Sequence, residues 1–238
     1  MRGPEGSGRQ ALRQNRRRDH KQMKSWDAFL SDEERDAVSE LSTPFKIQSF
    51  VDTFLYSPDP FYRCPLRVLR ERTAHCFDGA LFAAAMLRRI GFPPLILEML
   101  PNDRDDDHLL AVFKLERHWG AVAKSNFTGL RFREPIFWTL RELVMSYFES
   151  YFNLAGEKTL IGYTAPLNLR IFDSSFWMIR DEPLERIADH LDTLRRYRII
   201  TQPMEARLSP VDPRTLKAGL LDSNGAGLYR PADPAAGA

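Results

Sequence analysis

The clearest local signal in the sequence is an apolar helix that begins at a cysteine, within AHCFDGALFAAAMLRRIGFPP at residues 74–94. Apolar and small side chains recur at helical spacing, at Leu81, Phe82, Ala85 and Met86. A glycine and two prolines follow Ile90 and stop the helix. We therefore expect a helix from about Cys76 to Ile90, with Thr73 or a neighbour as its N-cap.

The segments around this helix predict a mixed fold. Short apolar segments typical of strands follow it, at residues 95–100, 108–115 and 118–125. Amphipathic spacing predicts further helices, at residues 44–54, 135–151 and 183–196. The order predicts an α+β protein in which the Cys76 helix packs on a small antiparallel sheet, with additional helices toward the C-terminus.

Charge and composition divide the chain into one folded region between two tails. Residues 1–24 hold eight lysines and arginines against two acidic residues, although the whole chain of 238 residues has a net charge of only +2. We expect this segment to be a basic, disordered tail. Residues 206–238 are rich in Pro, Gly and Ala, which predicts a flexible tail. Residues 25–205 are then expected to form a single domain.

Composition also excludes several classes of protein and site. No apolar run approaches the roughly 20 residues of a membrane helix, and the N-terminus lacks the apolar region of a secretory signal. We therefore expect a cytoplasmic protein without a membrane partner, in which Cys64 and Cys76 form no disulfide. Nucleic-acid binding is not expected, because no recognition motif follows the basic tail. The sequence carries no signal for an oligomeric state.

Cys76 is a candidate nucleophile because of its place at a helix start. Unpaired backbone N–H groups and the helix dipole there favour a thiolate. Acyl transfer also needs a base, and an orienting group that holds the base. We expect His108 to be the base, because it opens a strand that can pack against the Cys76 helix. His75 is adjacent in sequence, but consecutive residues diverge around a helix start.

The orienting residue is expected at the end of the following strand. Asn126 is the first candidate and Ser125 the second, since a neighbouring antiparallel strand can carry either of them beside His108. The carboxylates of Asp105, Asp106 and Asp107 are the alternatives. An ordinary packing role for Cys76 and a turn role for Asn126 compete with this interpretation.

The acidic run before His108 does not predict a metal site. Asp103, Asp105 and Asp107 imitate the first ligand positions of an EF-hand loop, but the required glycine and the final glutamate are missing. Cys76, His75 and His108 lack zinc-ligand spacing. We expect a solvated acidic turn, with no metal and no cofactor.

The order of these residues resembles the transglutaminase-like superfamily, which shares the papain-like cysteine-enzyme fold. The shared features are a cysteine at the start of a small-residue helix ending in LRRIGFPP, a histidine opening a strand, and a tryptophan-containing strand after it. The upstream FVDTFLYSPDP also resembles the segment that precedes the cysteine. The resemblance covers residues 45–126 and implies a Cys, His and Asp triad in that chain order.

The resemblance implies amide hydrolysis or acyl transfer on a peptide, a protein amide or a small amide. Cys76 would attack as thiolate, His108 would exchange the proton, and Asn126 would orient His108. The sequence departs from the family pattern at Ala74, where the family has glycine, and after the tryptophan strand, where the family has aspartate. These departures support an alternative: a catalytically inactive domain that binds a peptide or protein.

Overall fold

A computed structural model describes residues 26–230, together with residues 14, 19 and 21–24. The helices in this part of the chain are α1 (Asp32–Ser39), α2 (Pro44–Asp52), α3 (Pro65–Glu71), α4 (Cys76–Arg89), α5 (Leu140–Met145), α6 (Leu184–Asp192), α7 (Gln202–Glu205) and α8 (Pro213–Gly219). Short 3-10 helices lie at Phe148–Ser150, Leu169–Ser175 and Gly225–Gly227.

Two sheets accompany these helices within residues 26–230. The strands are β1 (Leu55–Tyr56), β2 (Thr73–Ala74), β3 (Leu95–Pro101), β4 (His108–Leu115), β5 (His118–Val122), β6 (Arg133–Phe137), β7 (Leu160–Thr164), β8 (Leu167–Asn168) and β9 (Arg196–Arg198). Strands β1 and β2 form a parallel pair. The others form one antiparallel sheet of seven strands in the order β6-β5-β4-β3-β7-β9, with β8 also paired to β3.

The main sheet is buried on both faces, and this determines which side chains can meet. Leu109, Ala111 and Phe113 of β4 belong to a core cluster with the apolar residues of α4. Leu110 and Val112 belong to a second cluster on the opposite face, with residues from α5. Successive side chains of a strand point to opposite faces, so odd-numbered residues at the start of β4 face α4 and even-numbered residues face away.

The expected fold class is confirmed: the protein is α+β, with the Cys76 helix packed on an antiparallel sheet and further helices toward the C-terminus. Helix α4 begins at Cys76 as expected, and His75 is its N-cap in place of Thr73. The sheet is larger than expected, because β6, β7, β8 and β9 extend it beyond the three strands read from the sequence.

The single long helix expected over residues 135–151 is wrong. Pro135 lies in β6, which pairs with β5 at the edge of the sheet, where the missing N–H of a proline is tolerated. Helix α5 begins only after Thr139, whose hydroxyl accepts from the Glu142 N–H at 3.1 Å. The aromatic residues whose spacing suits one helix are therefore divided among an edge strand, a short helix and a 3-10 turn.

Ordered structure continues past the boundary expected at residue 205. Helix α8 lies within the segment expected to be a flexible tail, and Val211 is buried, with its N–H bonded to the Gly156 carbonyl at 2.8 Å. Of the expected N-terminal tail, only residues 14, 19 and 21–24 are among those the structure describes; the rest of it, and residues 231–238, lie outside the described residues. Between residues 26 and 230, and in the short described stretches before them, no helix has the length and apolar character needed to cross a membrane.

Candidate functional site

Cys76 is the first residue of α4, and its neighbour His75 is occupied by capping that helix. The Asp78 N–H donates to His75 Nδ1 at 3.5 Å, and the His75 N–H donates to Asp78 Oδ2 at 3.4 Å. Burial lowers the pKa of His75 to about 4. The ring is therefore neutral near pH 7 and serves as the cap acceptor.

The surroundings of the Cys76 thiol are acidic. The backbone of Leu109 and the hydroxyl of Tyr56 lie near Cys76. Burial raises the pKa of the Cys76 thiol, and the carboxylates of Asp107 and Asp106 raise it further. The sulfur is thus held as a thiol, which is the opposite of the expectation drawn from its place at a helix start.

His108 does not face Cys76. It shares the face of Leu110 and Val112, and its Nε2–H donates to the Leu130 carbonyl at 2.9 Å on the side of the sheet away from α4. Burial lowers the pKa of His108 to about 4. The ring is a neutral donor that binds the loop before β6, and the structure does not bring it to the thiol.

Asn126 contacts neither Cys76 nor His108 through its amide. Its Nδ2 donates to the Asn224 carbonyl at 2.9 Å, and its Oδ1 accepts from the Asn224 N–H at 2.7 Å. Ser125, the second candidate, accepts from the Phe127 N–H at 2.9 Å in a local turn. Asn126, the expected orienting residue, therefore binds the C-terminal segment through a pair of hydrogen bonds, which we call the clasp.

Leu109 and Lys124 lie on the face of the sheet that α4 covers. Leu109 takes the position nearest Cys76 on β4, and Lys124 follows β5. A Cβ on Gly79, one turn along α4, would lie only 2.2 Å from the Lys124 Cβ, so the glycine makes room for the lysine. Lys124 is buried and donates from Nζ to the Phe54 carbonyl.

A pocket of about 480 Å³ opens beside Cys76. Seven carboxylates line it, together with three tyrosines: Asp59, Glu98, Asp106, Asp107, Glu185, Asp189, Asp192, Tyr56, Tyr62 and Tyr229. Glu98 pairs with Leu109 across β3 and β4 and therefore shares the face of α4. Glu98 and the carboxylates of α6 could not be identified from the sequence, because they come together only when β3, the loop before β4, and α6 meet.

Asp107 and Glu98 form the innermost part of this acidic lining. Their carboxyl groups are within hydrogen-bonding reach of each other. Burial raises the pKa of both groups, that of Asp107 to about 8. Two carboxyl groups this close are stabilised when a single proton lies between them.

The acidic side chains of the pocket are not arranged as metal ligands. In the part of the chain that the structure describes, no group of three or more His, Cys, Asp or Glu side chains has the arrangement to hold a metal ion. The seven carboxylates surround the pocket without converging on one point.

Comparison with known proteins gives a likeness in structure alone. No family model matches the chain, and no curated protein matches it. Legionella pneumophila LapG aligns with a TM-score of 0.38 and 14% identity, covering 71% of this chain and 97% of that one. The EGTA-treated form of the same protein aligns with a TM-score of 0.37 and 13% identity over the same shares. The side chains of this chain decide what its site can do.

Proposed function

We propose that the protein is a catalytically inactive domain of transglutaminase-like architecture that binds a peptide or protein segment at the pocket beside Cys76. The observation that carries this proposal is the placement of Cys76 and His108 on opposite faces of the main sheet. A thiol that acts as a nucleophile in acyl transfer needs an imidazole within hydrogen-bonding distance.

The electrostatics of the site support the same proposal. Catalytic cysteines lie in electropositive surroundings that lower the pKa of the thiol. Cys76 instead lies among carboxylates, with a raised pKa. On the α4 face, Leu109 has no basic group, and Lys124 is engaged with the Phe54 carbonyl. This favours binding over amide hydrolysis or acyl transfer through Cys76, His108 and Asn126.

The pocket itself is suited to binding an extended chain. Its volume of about 480 Å³ is within the range of ligand pockets. It is lined by residues from six separate segments, including β3, α4, α6 and the residues around Gly227. Polar and aromatic side chains on several elements can contact successive residues of one bound segment.

The proposal is tested by incubating the full chain and its Cys76→Ser variant with a tryptic digest of casein. We expect equal retention of peptides by the two proteins in equilibrium dialysis, because binding does not use the thiol. We also expect unchanged peptide masses and no acyl adduct on Cys76 by intact-protein mass spectrometry. An adduct on Cys76, or new peptide products that vanish in Cys76→Ser, would establish an enzyme instead.

A further inference from the structure

The C-terminal segment LDSNGAGLYR, residues 221–230, lies across the groove beside Cys76. Residues 226–229 of this segment line the pocket of about 480 Å³ that contains Cys76. Residues 221–224 line a second pocket of about 720 Å³. Tyr56 and Pro58 line both pockets. We call residues 221–230 the strap, because they divide one groove along Tyr56 into two pockets.

The groove holds the strap through groups that recognise a peptide main chain. Asn126 Nδ2 donates to the Asn224 carbonyl at 2.9 Å, and the Asn224 N–H donates to Asn126 Oδ1 at 2.7 Å. A side-chain amide that pairs in this way with the N–H and carbonyl of one residue makes no use of that residue's side chain. An added peptide can therefore form the same two hydrogen bonds with Asn126.

The strap also lies at the open edge of β1. The N–H groups of Leu55 and Ser57 donate to carbonyls on the β2 side, at 2.9 Å and 3.1 Å. Successive backbone groups of a strand point to alternate edges, so the Tyr56 carbonyl points away from β2. There it accepts from Asn224 Nδ2 at 2.9 Å. An open strand edge is a recurrent feature of peptide-binding sites.

The strap buries little of its own side chains. All ten of its residues are exposed or half-buried, and Leu221 is 65% and Tyr229 41% exposed. Beneath the strap, Ser57 and Asn126 of the groove are buried. Opening a segment that buries few apolar side chains costs less free energy than opening the core. The strap is therefore a displaceable cover over a groove that belongs to the buried part of the molecule.

We propose that the strap is an internal ligand of the peptide groove beside Cys76, and that an external peptide binds there by displacing it. This inference rests on the proposed binding function and adds its regulation. The apparent affinity for a peptide then depends on the fraction of molecules in which the strap is open. The contacts of Asn224 and Gly227 define the class of peptide that fits, a segment with asparagine three residues before glycine.

Two glycines of the strap offer a variant and its matched control. A Cβ on Gly227 would lie 2.7 Å from Tyr56 Cδ1, so Gly227→Ala cannot close on the ring without a shift. A Cβ on Gly225 would meet no atom of the described chain within 4 Å. Both glycines belong to the same 3-10 helix, and neither substitution alters the groove. Gly227→Ala should release the strap, and Gly225→Ala should keep it closed.

The experiment is isothermal titration calorimetry on the full chain with an acetylated and amidated peptide of the strap sequence, LDSNGAGLYR. We expect this peptide to bind Gly227→Ala at least about tenfold more tightly than the wild type, because no internal ligand competes. The affinity of Gly225→Ala should match that of the wild type within about twofold. A control peptide with alanine in place of its asparagine should bind Gly227→Ala about fivefold more weakly, because it lacks the donor to the Tyr56 carbonyl.

Hydrogen exchange of the wild-type chain saturated with the strap peptide gives a second measurement. Displacement predicts about tenfold faster amide exchange in the strap and slower exchange at β1, where the added peptide replaces the strap. The strap is followed in fragments that begin before residue 220, which the added peptide cannot produce. Because this measurement uses the unaltered chain, it decides the proposal even where Gly227→Ala accommodates its methyl group.

The outcomes separate this inference from the proposed function. Slower exchange in the strap on peptide binding would show that the strap is a wall of the site, which overturns displacement and leaves peptide binding intact. Unchanged exchange in the strap of the saturated wild type also overturns it, because the peptide then binds elsewhere. If neither the wild type nor Gly227→Ala binds the strap peptide or retains casein peptides, the proposed function itself is overturned.

Discussion

At Cys76, burial and the neighbouring carboxylates raise the pKa of the thiol by more than the helix N-terminus lowers it. A charge at a helix N-terminus is worth about 0.3–1 kcal/mol at an exposed site, which is less than one unit of pKa. Burial alone can shift the pKa of a side chain by about 3–5 units. The thiol is partly buried and lies next to Asp107, so its pKa rises. The helix dipole could be inferred from the sequence, but the larger effect of burial and neighbouring carboxylates depends on tertiary structure and could not.

Glu98 leads to a prediction about stability and pH. Burial raises its pKa above the value in the unfolded chain, so the folded state retains a proton that the unfolded state loses as pH rises past that value. The contribution of Glu98 to stability is therefore largest in acid and falls as pH rises toward the folded pKa. The titratable and charged groups that act on Glu98 are Asp107 from the loop between β3 and β4, Asp192 from α6 and Arg196 from β9.

Replacing Glu98 with glutamine removes this pH-dependent loss. We expect Glu98→Gln to raise the free energy of unfolding by about 1 kcal/mol at mildly alkaline pH and to change it little near pH 4. Urea denaturation of both proteins across this pH range measures the difference. A Glu98→Gln protein that is less stable than the wild type in alkali would mean that the carboxylate is satisfied in the folded state.

At the scale of elements, the strand register decides the site. The existence of α4 and of β3, β4 and β5 could be read from the sequence, because caps, proline stops and apolar runs are local signals. The face on which His108 lies could not be read. HLLAVF is apolar at nearly every position because both faces of β4 are buried, so the alternation that identifies a face in a half-exposed strand is missing.

The assignment of side chains to the two faces of β4 predicts different rates of Cys76 labelling for two neighbouring substitutions. Leu109→His places an imidazole on the α4 face beside Cys76, where a base can share the thiol proton. We expect iodoacetamide to label Cys76 about tenfold faster in this variant at neutral pH. Leu110→His, on the other face, is the matched control and should not change the rate. A faster rate in Leu110→His alone would reverse the assignment of the two faces.

At the scale of the whole molecule, segments far apart in sequence complete the pocket. Asn126 and Asn224 are 98 residues apart and exchange two hydrogen bonds. The Asn224 side chain also donates to the Tyr56 carbonyl at 2.9 Å, and Gly227 is close enough that a Cβ there would lie 2.7 Å from the Tyr56 ring. Composition predicted a flexible tail here because these contacts are long-range, and a Pro- and Gly-rich segment carries no local sign of them.

Removing this clasp should loosen the C-terminal segment. Asn126→Ala deletes both hydrogen bonds to Asn224, which are worth about 1 kcal/mol each. We expect amide hydrogen exchange in residues 220–229 to speed up by about tenfold or more, with β3 and β4 unchanged. Mass spectrometry of peptides from the exchanged protein makes the measurement. Unchanged exchange in residues 220–229 would show that other contacts hold the segment.

The alkylation rate of Cys76 as a function of pH tests the central claim, that Cys76 has no imidazole partner. The measurement uses a Cys64→Ser background, so that a single thiol is followed, with and without His108→Gln. We predict a rate that rises only in alkali and differs by less than about twofold between the two proteins. A plateau in mildly acidic solution that His108→Gln abolishes would contradict the account, because it would show that His108 ionises the Cys76 thiol.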